Sequence, residues 1–376
     1  MDFEYVLAPA LILLIGIAVV CFSVRRVRSL PAKVSSKSRR IIERVVFAVI
    51  ILEMVTVAAS ASYNAIALAW FRAHNPPPGS DYLANGHQMH MNCTGSGSPT
   101  IVLEAGLGND ALIWGGVQPE LAKTTHVCAY DRAGFGWSDA LAGPRDADHI
   151  AAELHGLLLE AKVSGPIVLM GHSIAGIYMR DYATRYPADI AGIVFVDGST
   201  PLQDESPAMK AMTAKRPPQW ATMLFQRAVY AVGVPRLMRQ CSQRIPGFDA
   251  NASQLLAEDI CHLQIGALIA ESDGVNRSGH QAVHTGPYGA LPILIFSEDP
   301  AKMAASTSAD LANTWNQMQE NLKSLSTRSR RIIAKGSSHY VQIDRPELIE
   351  KEVPLFIEQI RGTAPQPTNY GSTITE

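Results

Sequence analysis

Charged residues are scarce in this sequence of 376 residues, and neither sign of charge prevails. Asp, Glu, Lys and Arg make up 18% of the chain, with 32 basic and 34 acidic residues and a net charge of −2. From residue 81 onward, 30 acidic residues stand against 23 basic ones. A protein that binds nucleic acid needs a basic face to neutralise the phosphates. We therefore expect no nucleic-acid partner.

Cysteine is also rare, with five in the whole chain, of which Cys21 lies in an apolar run. The other four form an even set. Cys93 and Cys128 fall on or beside predicted strands, and Cys241 and Cys261 fall within one long insertion. Outside the cytoplasm these two pairs would form two local disulfides. In a reducing compartment all four would remain buried thiols, which behave as small apolar side chains.

The amino-terminus lacks the basic region of a cleavable signal peptide, yet it is rich in apolar residues. Residues 5–24 and 45–71 are each long enough to cross a bilayer, and residues 25–44 between them hold eight Lys or Arg. Positively charged loops remain on the cytoplasmic side. We therefore predict a membrane anchor over residues 1–71, with two transmembrane helices that place the rest of the chain outside the cytoplasm. Because Glu53 interrupts the second run, a single span is the alternative, and it would reverse the side of everything downstream.

Short apolar runs and helical patterns alternate after a Pro/Gly-rich linker at residues 72–81. The runs that predict strands are 100–106, 126–131, 166–171, 191–197, 291–297 and 330–336. Strands that are apolar on both faces and alternate with helices indicate an α/β fold, here a parallel sheet wrapped by helices over residues 82–361. Residues 200–290 break the alternation and predict a helical cap insertion. Residues 362–376 have the composition of a disordered tail.

The stretch LMGHSIAGIYMR, residues 169–180, places Ser173 directly after an apolar run. A serine on a sharp strand-to-helix turn needs small neighbours, because the turn strains the backbone and brings strand and helix close together. Gly171 and Ala175 flank the serine, so the pattern is G-x-S-x-A instead of the usual G-x-S-x-G. We predict that Ser173 is a nucleophile. The alternative is a serine that only caps a helix.

A nucleophilic serine needs a base and an acid. His339, in AKGSSHYVQIDRPELI, follows a predicted strand and precedes a predicted helix. With the serine first and the histidine last, the order along the chain fits a Ser-acid-His triad. Three carboxylates follow the strands that lie between these two residues. Asp299 is the first choice for the acid, and Asp197 and Glu298 remain as alternatives.

Catalysis of acyl transfer also needs two backbone N–H groups aimed at the oxygen on which negative charge develops. We predict that Ile174, directly after the nucleophile, supplies one, and that the glycines of LEAGLGND allow Leu107 to supply the other. His87 and His90 lie on opposite faces of a predicted strand, and no further residue is spaced to complete a zinc site. We therefore expect neither a metal nor a cofactor.

Together these motifs resemble the α/β-hydrolase superfamily, in the serine-hydrolase branch that includes proline iminopeptidase-like and esterase-like members. The resemblance covers residues 82–361 and rests on EAGLG, YDRAGFGWSD, GHSIAG and GSSHYVQIDRPE. It implies the α/β-hydrolase fold and a Ser-His-Asp triad. Haloalkane dehalogenases and epoxide hydrolases resemble this layout but carry Asp where Ser173 stands, so their alkyl-enzyme route is disfavoured. The departures are Ala175 in place of glycine and the acid turn SEDP in place of the commoner G-x-x-D.

The sequence therefore predicts a membrane-anchored serine hydrolase that cleaves a carboxylic ester, a lipid or an amide through an acyl-enzyme. The cap, rich in Met and aromatic residues, is expected to shape an apolar pocket. Two alternatives retain the fold. One is a non-catalytic binding module tethered to the membrane, and the other is an acyltransferase in which an alcohol replaces water.

Overall fold

The structure is a computed structural model that describes residues 14–23, 25–26, 37–214 and 218–376. Its centre is a nine-stranded sheet with the strand order β1-β2-β4-β3-β5-β6-β7-β8-β9. β2 pairs antiparallel with β1 and β4, and all other neighbours pair parallel. The strands are Ser80–Ala84, His87–Thr94, Thr100–Glu104, Val127–Tyr130, Ile167–His172, Ile190–Val196, Ile293–Ser297, Ser329–Ile333 and Thr373–Thr375.

Fourteen α-helices are numbered here along the described residues. α1 to α7 are Leu14–Ser23, Lys37–His74, Gln118–Leu121, Ala147–Glu160, Ala175–Arg185, Pro207–Thr213 and Gln219–Val232. α8 to α14 are Val234–Leu237, Ala250–Ile260, Ile265–Ala282, Pro300–Ser306, Ala309–Asn321, Val341–Asp344 and Pro346–Arg361. Between β6 and β7 the described residues form helices and connecting loops, with no strand.

The central strands are buried on both faces, which explains why their sequences are almost continuously apolar. Every residue of β3, β5 and β7 is buried. Leu154 of α4 and Met179 of α5 belong to the same core cluster as Val102 and Leu169 of the sheet. The six predicted strands are confirmed as β3 to β8, and the predicted α/β fold is confirmed with them.

Local signals set the ends of the helices. α4 begins where the side chain of Asp146 accepts a hydrogen bond from the N–H of His149 at 3.3 Å, an N-cap that satisfies a helix-terminal donor. α14 begins with Pro346 and ends at Gly362, whose φ of 76° lies in the left-handed region that favours glycine. These signals fall where the hydrophobic periodicity of the sequence predicts helices.

The carboxyl-terminal segment corrects one prediction. Residues 362–376 are not a disordered tail, because Thr373–Thr375 form the edge strand β9. The N–H of Arg331 donates to the carbonyl of Ser372, and the N–H of Glu376 donates to the carbonyl of Ile333. The backbone of β8 would otherwise have an unpaired edge, and pairing satisfies its donors and acceptors whatever the side chains of the added strand are.

The structure describes part of the segment predicted as a membrane anchor. Among the described residues, one helical stretch is long and apolar enough to cross a bilayer, Arg44–His74 with 31 residues, and 6% of its most apolar window is buried. α1 is apolar but shorter. Much of the predicted first span at 5–24 and of the basic loop at 25–44 lies outside the described residues. The linker predicted at 72–81 is shorter, because α2 continues to His74 and β1 begins at Ser80.

The chain divides into two compact units, and this division changes the predicted cap. One unit contains the described residues up to Pro76 together with Gln219–Gln243 and Ala257–Leu263. The other contains Pro77–Pro218, Arg244–Leu256 and Gln264–Glu376. The cap predicted at 200–290 is therefore not one piece of a hydrolase domain. The segment Gln219–Gln243 groups with α2 because backbone carbonyls of α7 accept hydrogen bonds from α2 side chains.

The four cysteines outside α1 form the two disulfides that the sequence analysis gave as one of two alternatives. Cys93 is bonded to Cys128, which lies opposite it in the β2–β4 register, and Cys241 is bonded to Cys261. Cys21 has a free, exposed thiol.

Candidate active site

Ser173 lies on a strained turn between β5 and α5. Its φ is 55°, a left-handed conformation that is unfavourable for a residue with a side chain. Hydrogen bonds hold the strained backbone on both sides. The N–H of Ser173 donates to the carbonyl of Val196 at 3.2 Å, and its carbonyl accepts from the N–H groups of Gly176 and Ser199. The surroundings therefore impose the turn, as expected for a nucleophile displayed between a strand and a helix.

Small residues make this turn possible. A Cβ atom at Gly171 would lie 2.7 Å from Cβ of Ala175 and 2.8 Å from Sδ of Met179, and one at Gly176 would lie 2.7 Å from the carbonyl oxygen of Ser199. All three distances are shorter than real contacts allow. Ala175 is accommodated where the usual motif has glycine because Gly171 leaves room for its methyl group.

His339 is hydrogen-bonded to Asp197, the carboxylate that follows β6. Nδ1 of the imidazole lies 2.6 Å from Oδ2 of Asp197, whose side chain is completely buried. The indole N–H of Trp315 donates to both carboxylate oxygens, at 3.0 and 3.1 Å, and the backbone N–H of Glu298 donates to Oδ1 at 3.0 Å. These donors and the imidazole satisfy both oxygens of a carboxyl group that has no access to water.

The structure contradicts the first choice for the acid. Asp299 does not contact His339; its Oδ1 accepts from the N–H of Ala301 at 2.9 Å, and its Oδ2 accepts from the N–H of Gly336 at 2.8 Å. It is the N-cap of α11, where Pro300 occupies the first turn. Aspartate followed by proline is a helix start, and the Gly336 N–H in particular lowers the pKa of Asp299.

The pKa values of His339 and of the neighbouring Glu298 are both shifted. Burial lowers the pKa of His339, but the hydrogen bond and charge of Asp197 and the charge of Glu298 outweigh it, and the pKa lies above its usual value. Burial and the charge of Asp197 raise the pKa of Glu298 to about 8. Asp197 is thus the hydrogen-bond partner of His339, and Glu298 beside it binds a proton more readily than an ordinary glutamate.

His172 connects the nucleophile turn to the base. Its Nε2 lies 3.0 Å from the backbone carbonyl of His339, and the two rings lie 4.6 Å apart. Burial, followed by the charge of His339, lowers the pKa of His172 well below its usual value, so this imidazole is neutral. A carbonyl can only accept, so Nε2 of His172 carries the proton. The residue before Ser173 thereby fixes the backbone that presents His339.

The loop after β3 approaches the same turn. A Cβ at Gly106 would lie 2.6 Å from Nδ1 of His172 and 3.3 Å from Cβ of Ser173, so only glycine fits there. The N–H groups of Leu107 and Ile174 donate none of the backbone hydrogen bonds found in the turns and loops of the described residues. Leu107 and Ile174 therefore remain the candidates for the two oxyanion donors.

The side chain of Arg132 holds the backbone of this loop in place. Its guanidinium donates to the carbonyls of Ala105 and Gly106 at 2.6 and 2.8 Å. It also donates to both carboxylate oxygens of Glu271 in α10, at 2.6 and 2.9 Å. The side chains of Arg132 and Glu271 are 1% and 0% exposed. Two parallel hydrogen bonds in a buried ion pair fix the orientation of the guanidinium. The fixed guanidinium in turn holds the carbonyls of the two residues that precede Leu107.

Four further residues that the sequence did not single out contact this site: Trp315, His172, Arg132 and Glu271. Arg132 lies inside YDRAGFGWSD and His172 inside GHSIAG, so both had a signal in motifs already singled out. Trp315 and Glu271 lie in ordinary amphipathic helices. Only the fold brings them to the site.

Two groups of described residues bring together side chains of the kinds that bind metals. Asp197, Glu298 and His339 form one group, and Cys93, His126 and Cys128 form the other, with ligand atoms within 4.8 Å of one another. In the first group His339 and Asp197 already hydrogen-bond to each other. In the second, both sulfurs belong to the disulfide. Neither arrangement presents three unengaged ligands.

Comparison with known proteins agrees with this geometry. The sequence profile of the alpha/beta hydrolase family matches residues 101–352, more than half of the chain. The "Probable transporter efuK" of Hormonema carpetanum is 27% identical over 288 residues, and the chain spans 40% of that protein's length. A crystal structure of the ancestral haloalkane dehalogenase AncHLD2 covers 75% of this chain and 99% of its own, with a TM-score of 0.57 and 18% identity. A bacterial membrane phospholipase A covers 86% of this chain and 99% of its own, with a TM-score of 0.54 and 18% identity. At such identity both structures resemble this chain in fold alone. The family profile decides the assignment: the chain belongs to the alpha/beta hydrolase family.

Proposed function

We propose that this protein is a membrane-anchored serine hydrolase that cleaves a carboxylic ester or amide through an acyl-enzyme. The observation that carries the proposal is the hydrogen bond from His339 to the buried Asp197, beside a strained turn that displays Ser173. Family membership supports hydrolase chemistry in general. A serine at the nucleophile position favours acyl transfer over the alkyl-enzyme route, which uses an aspartate.

In the proposed mechanism the oxygen of Ser173 attacks the substrate carbonyl while Nε2 of His339 takes its proton. Asp197 orients the imidazole through Nδ1 and stabilises the imidazolium. The N–H groups of Leu107 and Ile174 bind the oxyanion. His339 then protonates the leaving group, and a water molecule, activated by the same imidazole, hydrolyses the acyl-enzyme.

The anchor is the second part of the proposal. α2 is long and apolar enough to span a bilayer, and the eight basic residues within 25–44 favour a cytoplasmic position for the segment before it. The catalytic residues would then act outside the cytoplasm. The two disulfides support that side of the membrane, because disulfides persist in oxidising compartments. An apolar ester, such as a lipid, is the substrate class that suits an enzyme held at a bilayer.

A fluorophosphonate probe tests the chemistry, because it labels only an activated serine. We expect the wild-type protein to be labelled and Ser173→Ala to remain unlabelled. Ser199→Ala is the matched control, because Ser199 lies beside the nucleophile turn without a proposed chemical role. Equal labelling of Ser173→Ala and the wild-type protein would overturn the assignment, and labelling lost only in Ser199→Ala would transfer it to the neighbouring serine.

A further inference from the structure

α7 exposes a continuous apolar face. Trp220, Leu224 and Phe225 are 72%, 62% and 69% exposed, and their spacing places them on one side of the helix. Met223 and Tyr230, on the other side, are partly buried. Large apolar side chains exposed together in this way mark an interaction surface.

Hydrogen bonds attach the carboxyl end of α7 to the long apolar helix α2. Oγ of Ser60 donates to the carbonyl of Val232 at 2.7 Å, and Nδ2 of Asn64 donates to the carbonyl of Tyr230 at 3.0 Å. Gly233 permits this approach, because a Cβ there would lie 2.6 Å from Cβ of Asn64. The last carbonyls of α7 thus accept hydrogen bonds from polar side chains of α2. These bonds fix the position of the end of α7 along α2.

The position of these contacts along α2 gives the depth of α7. Arg44 is the last basic residue before the apolar stretch and marks the cytoplasmic boundary of the span. At the rise of an α-helix, Asn64 lies about 30 Å further along, which equals the thickness of the hydrocarbon core. Ser60 and Asn64 therefore reach the opposite interface. The side chain of Arg236 donates to Oδ1 of Asn64 at 3.0 Å, which suits a charged group at headgroup level.

We propose that α7 is an interfacial membrane helix whose Trp220, Leu224 and Phe225 insert among the lipid acyl chains of the leaflet opposite Arg44. The occupant of the exposed face is the bilayer, because α7 is hydrogen-bonded to the spanning helix at the depth where an amphipathic helix with a Trp/Phe/Leu face is stable. Tyr63, Ile66 and Trp70 of α2 are also more than half exposed. The inference rests on the proposed membrane anchor.

Fluorescence of Trp220 tests the insertion without requiring any enzymatic activity. The full chain is reconstituted in phosphatidylcholine nanodiscs, with and without bromine atoms on the acyl chains, and the emission of Trp220→Phe is subtracted from that of the wild-type protein. We expect bromine to reduce the difference emission at least about twofold, as for an indole at the acyl-chain boundary, and aqueous iodide to have little effect. Trp114→Phe is the control, because Trp114 is completely buried, and its difference emission should respond to neither quencher.

A second variant separates lipid contact from a local effect at Trp220. Leu224→Ser combined with Phe225→Ser should weaken the bromine quenching of Trp220, whereas Leu159→Ser, at an equally exposed leucine of α4, should not. If the chain remains in the membrane but Trp220 is quenched by iodide and not by brominated lipid, the proposed insertion of α7 is wrong and the proposed anchor is unaffected. Release of the chain from membranes at high pH would overturn the anchor and the inference together, while leaving the serine-hydrolase chemistry untouched.

Discussion

Oδ2 of Asp197 lies 2.6 Å from Nδ1 of His339, although Asp197 follows β6 and the first choice from the sequence, Asp299, follows β7. The two strands are parallel neighbours in the sheet, so both of their carboxyl ends reach the same edge. Contact with Trp315 distinguishes the two carboxylates, because the indole N–H donates to Asp197. Asp299 is turned toward the backbone of its own helix and of Gly336.

Exchanging the two carboxylates for amides should give opposite results. We expect Asp197→Asn to lower kcat by about four orders of magnitude, because the amide favours the wrong imidazole tautomer. Asp299→Asn should change kcat less than about twofold, because asparagine also caps helices. Ester turnover and a thermal melt of each variant check this. If Asp299→Asn loses most of its turnover while Asp197→Asn remains active, the catalytic acid is Asp299, which follows β7.

The pH dependence of activity should report the raised pKa of His339. The base must be neutral to accept the proton of Ser173, so activity is lost as the pH falls through its pKa. Because Asp197 stabilises the charged imidazolium more than burial disfavours it, the acid limb of kcat/KM should lie above about 6.5, the ordinary value for histidine. A profile of kcat/KM against pH measures the limb. A limb at or below the ordinary value would contradict the proposed electrostatics.

Glu271 should influence turnover through Arg132. Glu271→Gln leaves a buried guanidinium without its bidentate partner, which we expect to destabilise the fold by about 3 kcal/mol. It should also lower kcat by about tenfold or more with little change in KM, because the loop that carries Leu107 supports the transition state. Kinetics well below the melting temperature separate the two effects. Glu205→Gln, at an exposed glutamate, is the control, and an unchanged kcat in Glu271→Gln would remove the residue from the site.

The side of the membrane decides where the chemistry occurs. We expect a reporter that is active only outside the cytoplasm to be active when it is fused to this chain. The fusion is made after Glu376, because β9 requires the native carboxyl-terminal segment. The matching reporter that is active only inside should be silent. Under non-reducing electrophoresis the extracted protein should also resist thiol labelling at Cys93, Cys128, Cys241 and Cys261. An inside-only signal would place the catalytic residues in the cytoplasm.

The sequence by itself determined the main elements of the sheet and singled out Ser173 and His339 as the proposed nucleophile and base. Short continuous apolar runs such as residues 166–171, bounded by glycine and proline and rich in β-branched residues, favour a strand buried on both faces. The small residues around Ser173 predict the strained turn because a larger side chain at Gly171 or Gly176 would collide with its neighbours. Both signals are local, since each depends on residues close together in the chain.

Only the tertiary structure decided which carboxylate contacts His339, the carboxyl-terminal strand and the partition of the cap. Asp197 and Asp299 both end strands, and the choice depends on Trp315, which is distant from Asp197 in sequence but donates to it in the fold. β9 forms because β8 offers an unpaired backbone edge. The side-chain pattern of residues 362–376 does not predict this strand. Arg132 and Glu271 likewise meet across the chain. Contacts between distant residues depend on how the elements pack, and the local pattern of a sequence does not contain that packing.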